Sequence, residues 1–119
     1  MPAVFLPTTQ RVCTTSLTDA APQGHPAATP TGKVRTATVR FCNIGTADAS
    51  ADLKVVDTNV VSGDNDGYRA KTYPVPFNHP NSAPDFERTV VLTEGQKLQY
   101  RASADNAVSI SVEWVEDDA

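Results

Sequence analysis

The chain is poor in the residues from which active sites are assembled. Its 119 residues hold two cysteines and two histidines. No Cys-x-x-Cys pair occurs, so the usual ligand set of a zinc site is missing. Both histidines, His25 and His79, directly precede a proline, and neither lies in a recognisable nucleophile motif with a serine or cysteine. Positive charge is scarce and scattered. Ten Lys and Arg against fourteen Asp and Glu give a formal charge of −4, with a pI near 4.9. A DNA- or RNA-binding surface needs clustered cations, and no basic stripe forms. No apolar run approaches the roughly 18–20 residues that a membrane helix needs. Met1-Pro2-Ala3-Val4-Phe5-Leu6 lacks a basic segment and a long apolar stretch, so no secretory signal is expected and synthesis in a cytoplasm is. Helical periodicity longer than about a turn is also absent.

What remains is alternation. Ala37, Val39 and Phe41 share one parity and point inward, and Ala49, Ala51, Leu53 and Val55 do the same on the next strand. Val108 to Trp114 is the cleanest period-two segment. Such alternation gives one buried and one wet face, which predicts antiparallel sheets. Asn43-Ile44-Gly45-Thr46 and Ser62-Gly63-Asp64-Asn65-Asp66-Gly67 have turn composition. Tyr73-Pro74-Val75-Pro76-Phe77 carries prolines on one side only, which suits a sheet edge where a missing donor faces outward. Phe86–Leu92 and Lys97–Ala102 are expected to pair as a hairpin around Glu94-Gly95. Trp114 shares the parity of Ile110 and Val112, so it belongs in a core or a subunit interface rather than on a sugar-stacking platform. The expected fold is all-β: one antiparallel, jelly-roll-like β-sandwich over residues 33–119. Its small core makes oligomerisation a reasonable expectation.

Residues 1–32 differ in composition. They hold five of the nine prolines (Pro2, Pro7, Pro22, Pro26 and Pro30), and proline bars a regular helix or central strand. One short strand over Arg11–Leu17 is compatible with the pattern. The segment predicts an extended N-terminal arm lying on a neighbouring subunit, with Val4, Phe5 and Leu6 as its apolar anchor; a disordered leader is the alternative.

Three further features each have two readings. Ser62-x-Asp64-x-Asp66-Gly67 matches the front half of a calcium loop, but the twelfth position is Tyr73 rather than Glu, and an acidic turn explains it equally well. Cys13 and Cys42 are either two reduced thiols or a disulfide, within the chain or between subunits. Glu113–Asp118 is an acidic run of the kind that forms a solvated tail. No cofactor, metal or catalytic residue is implied, and a non-enzymatic protein is expected.

Residues 33–116 resemble the small β-sandwich virion structural proteins of tailed bacteriophages. The resemblance rests on Val34–Gly45, where an apolar strand ends in Cys-Asn-x-Gly, and on the small-residue strand Ala47–Val56. It rests also on Val91-Leu92-Thr93-Glu94-Gly95-Gln96-Lys97-Leu98 and on Ala107–Glu113. It implies a capsid decoration or cement protein, or a neck, collar or tail accessory protein. Such a protein works in the virion as a homo-oligomer, often a trimer, among other virion proteins and without binding nucleic acid or membrane. A receptor- or carbohydrate-binding module of a fibre or adhesin is the alternative from a different class. The long Pro/Ala/Thr segment before Lys33 departs from the short lead-in of that family.

Overall fold

The computed structural model describes residues 3–60, 66–77 and 86–119. Eight strands lie among them: β1 (Val4–Val12), β2 (Thr18–Ala20), β3 (Lys33–Asn43), β4 (Ala49–Asp57), β5 (Tyr68–Val75), β6 (Phe86–Leu92), β7 (Gln96–Ala102) and β8 (Val108–Asp118). No helix occurs among the described residues, and none is long and apolar enough to cross a membrane. The strands form two antiparallel sheets, one ordered β1-β8-β3-β6 and the other β2-β7-β4-β5. The expected all-β architecture is therefore present.

The core lies between the sheets and follows the alternation. Ala37, Val39 and Phe41 of β3 and Val108, Ile110, Val112 and Trp114 of β8 are buried from one side. Ala51, Leu53 and Val55 of β4 and Leu98, Tyr100 and Ala102 of β7 meet them from the other. Inward-pointing β-branched and aromatic side chains on a pleated surface favour this packing.

The connectivity departs from the sequence reading. Among the described residues, only β4 and β5 are consecutive strands paired in one sheet. The expected hairpin of β6 with β7 does not form: β6 pairs with β3, and β7 pairs with β2 and β4. The Thr93–Gly95 turn carries the chain across from one sheet to the other. Gly95 has φ +80° there, and a Cβ would strike the Asn59 side-chain amide. Alternation reports which face of a strand is buried, but not which strand lies beside it.

The separation of residues 1–32 as an arm is likewise corrected. β1 pairs along β8 from Val4↔Glu116 to Val12↔Ser109, and β2 pairs with β7. Both belong to this chain's own sandwich. Pro7 is accommodated because β1 is an edge strand and its register shifts between Leu6 and Thr9. β5 is also an edge strand, as its prolines predict, with Pro74 opposite Ser50. Between β2 and β3 the proline-rich segment is fastened to the end of the sandwich. Thr29 donates its N–H to Gln96 O (2.9 Å), and Thr29 O accepts the Gly95 N–H (2.9 Å). The fully buried Arg35 donates Nη1 to Pro26 O (2.7 Å) and Nε to Glu116 Oε2 (3.0 Å).

Candidate interaction surface

The described residues offer two hollows beside β1 and two contrasting sheet faces. No three His, Cys, Asp or Glu side chains converge among them on a point that could hold a metal. Two hollows flank the middle of β1. One, of about 400 Å³, is lined by Gln10, Arg11, Val12, Ser109, Ile110 and Ser111; the other, of about 310 Å³, is lined by Thr8–Arg11, Ala21 and Gln23. Neither lining contains a carboxylate, imidazole or thiol, so neither holds a customary proton-transfer group. His25 is exposed in a turn where its N–H donates to Pro22 O (3.0 Å). His79 and residues 62–65 of the acidic turn lie outside the described residues.

The cysteines are free and do not meet. Cys13 follows β1, with its N–H donating to Val108 O (2.8 Å) and its side chain fully buried in the core. Cys42 sits on β3 opposite Ser109 and is exposed on the outer face. The two thiols thus lie on opposite faces of one sheet, with β8 between their strands. Two strand spacings are about 9–10 Å, beyond the roughly 7 Å limit between Cα atoms for a disulfide. The intrachain bond is therefore corrected, and Cys13 is too deep to reach a second subunit. Burial pushes the Cys13 thiol pKa up to about 12, so it stays protonated at neutral pH.

The outer faces of the two sheets differ. On β2-β7-β4-β5 the face is charged and cross-linked. Asp52 accepts Arg101 Nε (2.6 Å) and the Thr72 N–H (2.6 Å), holding Thr72 at a φ of +51° beside the irregular register of β4 and β5. Arg101 Nη2 donates to the Tyr68 hydroxyl (3.0 Å), and the ammonium groups of Lys54 and Lys71 lie 5.1 and 4.4 Å from the Tyr68 ring centroid. Asp19 accepts from Lys97 and Gln99. Hydrogen bonding to Asp52 is the main cause holding the Arg101 pKa above its ordinary value. This face is built for water.

The outer face of β1-β8-β3-β6 is arranged in ranks. Phe5, Val115, Thr36 and Val91 stand side by side across all four strands. Phe5 is 84% exposed and Val91 56% exposed, with Val115 and Thr36 half-buried between them. The next rank is Glu113, Thr38 and Thr89, and the one after it Gln10, Ser111, Arg40 and Glu87. Arg40 donates to Glu113 (3.0 Å) and Glu87 (3.2 Å), so one cation bridges two carboxylates within the face. These bonds, Glu87 first, hold the Arg40 pKa above its ordinary value.

The anchor residues read from the sequence are divided by this geometry. Leu6 turns inward against the core, Val4 is exposed at the rim, and Phe5 projects from the outer face. Thr9 escaped the sequence reading. It accepts the Trp114 indole N–H (3.0 Å) and donates to Ala21 O (2.6 Å), tying an edge strand to the core. Arg35 also escaped it, although its parity with Ala37, Val39 and Phe41 marks it as inward-facing. Comparison with protein-family models, with curated proteins and with solved structures finds no match.

Proposed function

We propose that this chain is a non-enzymatic structural protein of a tailed-bacteriophage virion, acting as a capsid decoration protein that stabilises the particle through subunit contacts. The observation that carries the reading is the strand order. Two antiparallel four-stranded sheets ordered β1-β8-β3-β6 and β2-β7-β4-β5, with most connections crossing between them, support reading the sandwich as a jelly roll, an architecture used in viral capsid and lectin domains. Fold alone does not fix function. The resemblance over residues 33–116 and the apolar rank on one outer face support the structural role. Its mechanism is burial of apolar surface at about 25 cal/mol per Å², repeated over many copies. A neck, collar or tail position would use the same mechanism in fewer copies.

Mass spectrometry of purified virions tests the proposal. The chain should be present in copy number comparable to the major capsid protein, and particles lacking it should release DNA at lower temperature. A copy number far below the capsid protein's moves it to the neck or tail. Its absence from virions overturns the proposal. Jelly rolls also serve as lectins, and the exposed Tyr73 and Phe77 at the β5 end favour carbohydrate binding as a second reading. Glycan-array binding lost in Tyr73→Ala and Phe77→Ala would support it.

A further inference from the structure

The outer face of β1-β8-β3-β6 carries a solvent-facing apolar rank that the core does not need. We propose that this face packs against the same face of a second copy, related by a twofold axis parallel to the strands and passing between β8 and β3. Such an interface is isologous, so every contact occurs twice. The rotation exchanges β1 with β6 and β8 with β3. Phe5 of each copy then lies over Val91 of the other, and Val115 over Thr36. The protruding aromatic at one edge meets the smaller side chain at the other.

The charges agree with this arrangement. Under the same rotation Arg40 faces Ser111, Glu87 faces Gln10 and Glu113 faces Thr38, so no like charges oppose each other. Arg40 keeps both of its carboxylate partners within its own chain. At the open rim, Asp117 falls opposite Val34. The other sheet, with its Asp52–Arg101 and Asp19–Lys97 pairs, offers no comparable apolar rank. The area reaches the lower end of what a stable dimer needs. The four strands, of 9, 11, 11 and 7 residues, at about 4.8 Å spacing and about 3.4 Å per residue span about 620 Å². Standard stable interfaces bury about 600–1,000 Å² per partner.

The inference rests on the self-association within the structural reading above, but its test uses purified protein and succeeds or fails whether or not the chain is found in virions. Sedimentation equilibrium of the full chain should give a dimer. Phe5→Glu and Val91→Glu should each raise the dimer Kd about thirtyfold or more while leaving the circular dichroism spectrum unchanged, because both side chains are exposed in the single chain. The geometry is read by the double variant Phe5→Cys/Val91→Cys in a Cys42→Ser background, treated with a short bismaleimide cross-linker. Within one chain these positions are three strand spacings apart, about 14 Å, whereas across two face-packed sheets they are about 10 Å apart, so the linker is chosen to span the second gap and not the first. Treatment should therefore give covalent dimers and nothing larger. A ladder running through trimers would mean head-to-tail contact and overturn the twofold. Only uncross-linked monomer, with both introduced thiols labelled, would overturn the interface altogether.

Discussion

The Trp114–Thr9–Ala21 relay shows how one small polar residue fixes an edge. The buried indole N–H needs an acceptor, and the Thr9 hydroxyl supplies it while donating its own O–H to the Ala21 carbonyl. Thr9→Val keeps the shape and strands both partners, so the expected loss is about 1–3 kcal/mol in urea unfolding. Arg35 is a harsher case. Removing it leaves the Glu116 carboxylate without that partner and releases the loop at Pro26. Arg35→Ala should cost about 3–5 kcal/mol, and Arg35→Met distinctly less because the methionine refills the volume. The thiols should separate cleanly by reagent. Cys42 should label in the native protein, and Cys13 only when the chain unfolds. With its pKa raised to about 12, Cys13 keeps its proton when folded and loses it from about pH 9 when unfolded. Its contribution to stability is complete below that window and falls as pH rises through it.

At the level of elements, the decisive strand is β1. It covers one flank of β8, and Thr9 from it satisfies Trp114. Deleting residues 1–12 should abolish cooperative thermal unfolding, followed by circular dichroism at increasing temperature; a truncated chain that melts like the parent would show β1 to be dispensable. The sequence made β3, β4, β7 and β8 legible because their inward positions repeat every second residue with apolar side chains. It hid β1 because Pro7 interrupts the pattern and Phe5 and Val12 face outward. It hid β2 because three residues, Thr18-Asp19-Ala20, are too few for any periodicity. The apolar rank was hidden for a different reason: Phe5, Val115, Thr36 and Val91 are far apart along the chain, and only the registers of three strand pairs place them in line. Strand partners are long-range information, and no local pattern encodes them.

For the molecule as a whole, the spacing of its contacts governs how it forms. Val4 pairs with Glu116 and Lys33 with Asp118, while β8 lies between β1 and β3. Almost every pairing joins distant parts of the chain, and loop closure must precede the gain from burial. Refolding from urea in stopped flow should therefore take roughly milliseconds to seconds, as in other all-β domains, rather than microseconds. The place of β8 at the centre of its sheet carries this further. A nascent chain emerging from a ribosome cannot close that sheet until β8 is out, so β1 and β3 wait without the strand that lies between them. Closure of that sheet therefore waits for β8, and self-association through the finished face has to follow closure. Chains without β8 lack the assembled surface through which whole ones would join, so assembly selects for chains that carry it.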